Sequence, residues 1–453
     1  MKTIVRLAAL AAILASSGAA FAADTASAIN GRWDAVLTKG GTEIPFRLDI
    51  KGSGADLQGV LYDGFKPYDG TTSASFKDGK LTLNIEHYLT TIDATLKDGQ
   101  LDGSVAAQNR ESSANYDFHA VRHVETAAAN VSAPSIAGTW IIPLDAPSSK
   151  GEKALRLIAQ QQGAEVSASI LRIDGDTGSY TGTFKDGKWV LSHFDGGRPG
   201  VITITPAADG TLSIDQNNKQ ARTQQAAYGE AANSNPYGSD ATPDGRYAKV
   251  LTAYRQDVAV AKGLPAPEDF LDHTKVRDPN EKFTFNFRDV NGKQVSSDDA
   301  DYKNKVVLAI VTGTWCPNCH DEAQYLVQLD KKYRDKGLRI VALDFEEPEQ
   351  QGTLARERAF IKKYGVKYAY LQAGAPAEMW EKVPQLNHLD TWPATVFIGR
   401  DGKVDAVHSG FASPASGEFH TQLKQDFTAR IEKLLAQKIT ADAGEPKKFA
   451  AAQ

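Results

Sequence analysis

Five residues, Phe76-Lys77-Asp78-Gly79-Lys80, return unchanged as Phe184-Lys185-Asp186-Gly187-Lys188. They do not return alone. Ile29-Asn30-Gly31-Arg32-Trp33 is echoed by Ile136-Ala137-Gly138-Thr139-Trp140, and Asp98-Gly99-Gln100-Leu101 by Asp209-Gly210-Thr211-Leu212. The first two spacings, 108 and 107 residues, nearly agree. Short alternating runs such as Phe46 to Ile50 and Lys80 to Ile85 lie between Asp-Gly pairs at 63–64, 69–70, 78–79, 98–99, 174–175, 186–187 and 209–210. Asp-Gly between alternating apolar residues is a strong hairpin signal, because both turn positions must accept positive φ. The chain therefore opens with two related all-β modules, 23–124 and 134–226, joined by the polar stretch from Thr126 to Ser135. Two copies are too few for a solenoid, so each module is expected to be a small barrel or sandwich.

Ahead of the modules, residues 1–22 read as a removable export signal. Lys2 and Arg6 precede an apolar run from Leu7 to Ala15, and Ala20-Phe21-Ala22 supplies a small-residue cleavage pattern. The apolar run is shorter than the roughly 20 residues needed to span a bilayer, and no second such run follows. No cysteine stands near the cleavage point to carry a lipid. The expected location is the periplasm or another exported compartment. Without Lys2 and Arg6, 49 basic residues stand against 56 acidic ones, a net charge of −7. That balance argues against nucleic acid or an anionic membrane as the main partner.

After the second module, Asn233 to Asp240 is turn-rich, and 227–281 reads as a linker carrying one helix. Tyr247, Val250, Leu251, Tyr254, Val258 and Ala261 fall at helical spacing, so that helix is expected over Asp244 to Lys262. From 282 to 440 strands and helices alternate. Strands are expected at Phe283 to Phe287, Lys305 to Ile310, Leu338 to Phe345, Ala369 to Leu371, Thr395 to Ile398 and Val404 to His408. Helices are expected from Pro317 to about Asp335, Leu354 to Tyr364 and Leu423 to Leu435. This order indicates an α/β sheet sandwiched by helices. Residues 441–453 read as a disordered tail.

The chain has two cysteines, Cys316 and Cys319, in the run Trp315-Cys316-Pro317-Asn318-Cys319-His320. A disulfide framework is excluded. In an oxidising compartment a lone vicinal pair points to redox work. The run joins a strand to a helix, which puts Cys316 at a helix N-terminus, where unpaired N–H groups and the macrodipole favour a thiolate. Pro317 suits the first turn because no donor is needed there. Cys316 is thus the expected nucleophile, and Cys319 the residue that resolves the mixed disulfide.

The stretch from about 282 to 437 resembles the exported TlpA/ResA-like thiol–disulfide oxidoreductases of the thioredoxin superfamily. The resemblance rests on Thr312-Gly313-Thr314-Trp315-Cys316-Pro317-Asn318-Cys319, on Glu322, and on Thr391-Trp392-Pro393-Ala394-Thr395-Val396-Phe397-Ile398. It implies a thioredoxin-like fold for this domain, and an acid near the dithiol at Glu322 that affects its proton transfers. The alternative for Glu322 is a solvated carboxylate of the first helical turn. The resemblance further implies a cis-proline at Pro393, and backbone hydrogen bonds to a bound partner from Trp392. Trp315 is expected to shield the dithiol. Trp315, Pro317, Asn318 and Trp392 are expected on the substrate-binding side; Pro317 and Asn318 between the cysteines depart from many members and bear on the potential. The implied activity is dithiol–disulfide exchange as a reductant, with no diffusible cofactor, a thiol- or disulfide-bearing protein substrate and a membrane thiol electron donor.

Two other readings use the same residues. A peroxiredoxin-like thiol peroxidase is the first, although such enzymes carry threonine where Gly313 stands. Covalent c-type haem attachment at Cys316, Cys319 and His320 is the second; it needs a further axial ligand, and Met379 is the only methionine after the leader. A structural zinc site lacks a second cysteine pair, and no metal site is assigned. His119 and His123 in a β segment, and Asp344, Glu346 and Glu347 after a strand, are expected to be solvated.

Overall fold

A computed structural model describes residues 28–109, 112–124, 133–197, 199–216 and 250–438. The expected leader, much of the two joining stretches and the tail lie outside these residues. In the first module the strands are β1 (Gly31–Lys39), β2 (Thr42–Lys51), β3 (Gln58–Asp63), β4 (Lys66–Gly70), β5 (Ser73–Lys77), β6 (Lys80–Ile85), β7 (Thr90–Lys97), β8 (Gln100–Asn109) and β9 (Ser112–Arg122). They pair in the order β4-β3-β2-β1-β9-β8-β7-β6-β5. The two ends of that order, β4 and β5, are consecutive in the chain, and between them Thr71 N–H bonds Gly59 O on β3 at 2.9 Å while Thr72 N–H bonds Asn84 O on β6 at 2.7 Å, so the sheet rolls into a barrel. Alternation decides which face is inside: Trp33, Ala35 and Leu37 of β1 point inward with Leu81, Leu83 and Ile85 of β6.

The second module repeats this plan with β10 (Gly138–Pro143), β11 (Ala154–Gln162), β12 (Glu165–Arg172), β13 (Gly175–Asp176), β14 (Tyr180–Lys185), β15 (Lys188–His193), β16 (Gly200–Pro206), β17 (Leu212–Asp215) and β18 (Val250–Arg255). Here β11 pairs with both β10 and β12, which closes the barrel. Tight turns follow the Asp-Gly rule at 78–79, 98–99 and 186–187, where both residues of each pair have φ between 51° and 80°. Asp69-Gly70 is instead the end of β4, and Asp69 is held there by Lys363 at 2.6 Å.

Strand β18 corrects two expectations. Of the helix expected over Asp244 to Lys262, residues 244–249 lie outside the described residues, 250–255 form a strand, and Gln256–Ala261 (α1) is helical. The second module therefore uses residues well past 226. Leu251 and Ala253 are buried while Val250 and Thr252 are exposed, so period two prevails over the helical spacing. The strand is needed beside β10, as β9 is beside β1. Arg255 lies 4.1 Å over the Trp140 ring and donates to Ala137 O at 2.5 Å. Arg122 on β9 lies 4.1 Å over Trp33 and donates to Asn30 O at 2.5 Å. The two barrels are shut by the same latch.

The C-terminal domain is a seven-stranded sheet. Its strands are β20 (Asn286–Asp289), β21 (Gln294–Ser296), β22 (Val306–Thr312), β23 (Leu338–Phe345), β24 (Ala369–Gly374), β26 (Ala394–Ile398) and β27 (Val404–Ser409); β19 (Lys275–Val276) and β25 (Leu386–Asn387) pair separately. The order is β21-β20-β24-β23-β22-β26-β27, with β22, β23 and β24 parallel and β26 antiparallel to β22. The central strands are buried on both faces, as a sheet covered by helices requires. Helices α2 (Pro317–Tyr333), α3 (Ala355–Tyr364) and α4 (Glu418–Leu435) contribute Leu326, Phe360 and Phe427 to one apolar cluster. That cluster also takes in Ile158 and Leu171 of the second barrel, so barrel and α/β domain share a core.

Candidate active site

Strand β22 ends at Thr312, and the chain turns through Gly313 to Trp315 into α2. Cys316 is the N-cap of α2 with extended backbone, Pro317 is its first residue, and the Cys319 N–H donates to Cys316 Sγ at 3.3 Å. The helix end thus aims a backbone donor at the first sulfur. Both cysteines are free thiols and buried. Desolvation, reinforced by the neighbouring Cys316 sulfur, pushes the Cys319 thiol well above its ordinary range. The two sulfurs are therefore unequal: one capped by a donor, the other kept protonated.

Opposite them the Trp392–Pro393 peptide is cis. The Trp392 carbonyl lies 3.5 Å from Cys316 Sγ, and the thiol donates to it. Trp392 and Trp315 meet edge to face with centroids 5.0 Å apart, and Trp315 Nε1 donates to Phe345 O at 2.9 Å. Trp315 and Pro317 are only half-buried, so the approach to Cys316 passes beside them. Behind the dithiol, Glu322 is 1% exposed, which removes the solvated alternative. It accepts from Thr395 Oγ1 at 2.5 Å, and burial pushes its carboxyl up to about 8. A carboxyl in that state is protonated at neutral pH and can give or take a proton one helical turn from Cys319.

Asn318, expected on the substrate side, is buried and donates through Nδ2 to Asp174 O at 2.8 Å. It is committed to the second barrel. The turn between β12 and β13 reaches this point: Phe411 N–H also meets Asp174 O, and Gly175 bridges Phe411. Asp176 accepts from Ser413 N at 2.7 Å, Ser413 Oγ at 2.9 Å and Ser416 Oγ at 2.7 Å. From the first barrel, the Tyr68 hydroxyl donates to Asp321, and Lys363 donates to Gly70 O at 2.7 Å. The rings of His87 and Tyr88 lie tilted against His320 with centroids 5.3 and 4.4 Å away.

His320 is not placed as a haem ligand. Its Nε2 is 2.7 Å from Thr314 O and its Nδ1 is 2.9 Å from Tyr364 Oη. The acidic run after β23 also departs from expectation. Asp344, Glu346 and Glu347 are buried, because Arg356 on α3 enters between them and donates at 2.5 Å to both Glu346 and Glu347. His119 and His123 face outward, as expected, beside Asp102 and Asp34.

Residues 276–407 match the model of the AhpC/TSA family. The thiol-disulfide oxidoreductase ResA of Bacillus anthracis is 30% identical over 135 residues, which is 30% of this chain and 71% of that protein. The chain belongs to the ResA-like thiol–disulfide oxidoreductases. Bacillus subtilis (strain 168) has a ResA 29% identical over 28% of this chain and 64% of its own. Its thioredoxin-like protein YneN is 26% identical over 35% of this chain and 78% of its own. A solved thioredoxin family protein from Chlorobium tepidum TLS, a thiol:disulfide interchange protein, is 24% identical, covering 36% of this chain and all of its own, with TM-score 0.29. Each of these relatives spans about a third of this ResA-like chain.

Sequence reasoning passed over Thr395, although it stands inside the motif quoted for Pro393. It also read Asp174-Gly175 as an ordinary turn. Nothing in the sequence marks Tyr68 as a partner of α2, since 253 residues separate it from Asp321.

Proposed function

We propose that this chain is an exported reductant of protein disulfides, working through the Cys316-Pro317-Asn318-Cys319 pair. The observation that carries the reading is the inequality of the sulfurs: Cys316 at the helix cap with a backbone donor, Cys319 buried and protonated beside a protonated Glu322. Cys316 thiolate attacks a partner's disulfide, forming a mixed disulfide and expelling one partner thiolate. Cys319 loses its proton to the ionised fraction of Glu322 and attacks Cys316 Sγ, and the second partner thiolate leaves and takes that proton back from Glu322. Two electrons pass to the partner and the dithiol ends as a disulfide. Glu322 is the positioning group for the proton of the second step. Trp392 offers backbone to the partner beside the cis bond to Pro393, with Trp315 and Pro317 at the entrance. A membrane thiol donor restores the dithiol.

The test is reduction of a generic protein disulfide by the full chain. Cys316→Ser is expected to abolish it, and Cys319→Ser to accumulate a mixed disulfide. Glu322→Gln is expected to flatten the pH profile of resolution around pH 8. Stability gives a second readout for Glu322. Its folded pKa is raised above the unfolded 4.5, so the folded state keeps a proton that the unfolded state loses. Stability therefore falls by ~1.4 kcal/mol per pH unit between the two values and is flat above them. Glu322→Gln removes that slope. An unchanged slope sinks the protonated-carboxyl role.

A thiol peroxidase is the second reading, motivated by the family match over 276–407. Against it, a Cβ at Gly313 would meet Trp315 Nε1 at 2.4 Å, so a threonine there has no room. Peroxide turnover retained in Cys319→Ser would favour it over the reductase.

A further inference from the structure

The segment entering the α/β domain and the strap that leads to Pro393 are joined by a cluster the dithiol chemistry does not use. The His273 side chain is fully buried, Asp390 is 4% exposed and His388 is 42% exposed. His273 Nε2 lies 2.6 Å from Asp390 Oδ1, and His388 Nε2 lies 3.5 Å from Asp390 Oδ2. One donor atom from each of the three residues falls within 4.8 Å of the others.

The orientation of the rings is informative. A metal-binding imidazole generally has its other ring nitrogen held by a carboxylate or a carbonyl, which fixes the tautomer and aims the lone pair. His273 Nδ1 is 3.1 Å from Glu268 Oε2, and His388 Nδ1 is 3.2 Å from the His273 carbonyl. His388 is thus held from behind through Nδ1, His273 Nδ1 faces Glu268 at ion-pair distance without a hydrogen bond, and both Nε2 atoms converge on one carboxylate. That carboxylate keeps a buried oxygen, Asp390 Oδ2, with no hydrogen-bond partner. His388 also has φ of 55°, a left-handed conformation that non-glycine residues adopt rarely and that concentrates at ligand clamps. An ordinary buried His–Asp pair accounts for the His273 contact. It does not account for a second histidine, held in an uncommon backbone state, aimed at the same group.

We propose that His273, His388 and Asp390 bind a divalent first-row transition cation of the Zn²⁺ type, with Glu268 orienting His273. Two imidazole nitrogens and one carboxylate suit such an ion and not Ca²⁺ or Mg²⁺, which prefer oxygen donors. Bonds of roughly 2.0–2.1 Å in a tetrahedron set ligands about 3.3 Å apart. The 3.5 Å separation of His388 Nε2 from Asp390 Oδ2 fits such an edge, and the His273 ring, now 2.6 Å from Asp390 Oδ1, turns toward the same position when the proton between them is replaced by the cation. A fourth position is left for water. Asp390 stands two residues before Trp392, so the ion would pin the strap that presents the Trp392 carbonyl to Cys316.

The test is calorimetry with zinc chloride on the full chain in its disulfide form, which silences the thiols as competing ligands, with bound zinc counted by elemental analysis. One zinc per chain is expected. His388→Asn, which tolerates the left-handed backbone, and Asp390→Asn should each weaken binding about 100-fold or abolish it, and Glu268→Gln about 10-fold. His119→Asn, at the exposed pair with Asp102, should leave it unchanged. No zinc bound by the disulfide form overturns the site. So does binding that survives intact in a folded His388→Asn chain, with fold checked by circular dichroism.

Discussion

The two barrels hold the redox domain with the same part of their topology and with different chemistry. Strand β4 in the first and β13 in the second are equivalent, each following the third strand of its barrel. From β4 come long side chains: Tyr68 reaches Asp321 on α2, and Asp69 meets Lys363 on α3. From the β12–β13 turn comes mainly backbone, backed by one buried carboxylate: Asp174 O receives Asn318 and Phe411, Gly175 lies against Phe411, and Asp176 takes Ser413 and Ser416. A side-chain grip can relax when one atom is lost. A backbone grip beside the dithiol has no such slack, because the space is already filled by main chain.

That contrast orders the expected effects. Gly175→Val should be the most damaging change. Residue 175 has φ of 124°, and a Cβ would lie 2.5 Å from Phe411 O and 2.7 Å from Asn318 Nδ2. We expect a loss of roughly 3 kcal/mol, read by thermal unfolding, with faster alkylation of Cys316 as the turn lifts away. Normal alkylation would show that the second barrel does not restrict the dithiol. Asp176→Asn comes next, at about 2 kcal/mol, because the buried oxygens that Ser413 and Ser416 bond would lose their charge. Tyr68→Phe removes one hydrogen bond from the softer side, and about 1 kcal/mol is expected. A larger loss than for Asp176→Asn would reverse the contrast. The smallest effect is a difference: Arg122→Met and Arg255→Met unlatch equivalent barrels, so their losses should agree within about 0.5 kcal/mol.

Legibility in the sequence follows the range of the interactions. The strand over Leu338 to Phe345 and the helix from Pro317 are local matters of apolar runs and caps, and the structure has them at those residues. The repeat was visible because Gly-x-Trp and Lys-Asp-Gly-Lys are local too. Strand β18 was not, since Leu251, Tyr254 and Val258 satisfy a helical period and the partners that override it lie on β10 and β17. A signal was present: Phe118-His119-Ala120-Val121-Arg122 and Leu251-Thr252-Ala253-Tyr254-Arg255 share an apolar residue, an alanine and an arginine at matching places. At the site, the cysteines and Glu322 were found from one stretch of chain. The burial of Asn318 was not, because Asp174 is 144 residues away. The acids after β23 looked solvated for the same reason: Arg356, which makes their burial tolerable, belongs to the next helix.

The position of β18 also sets an order of events for a chain that emerges from its N-terminus. The first barrel runs through hairpins with short connections and closes by pairing β1 with β9, complete once Arg122 is out. The second leaves a gap between β17, ending at Asp215, and β18, beginning at Val250, and that gap must be closed before β10 gains its second neighbour. Joining distant segments carries an entropic cost that hairpins avoid. Its closing strand runs directly into α1, at the threshold of the catalytic domain. The second barrel therefore shuts only as that domain begins to arrive, and its turn meets the dithiol last.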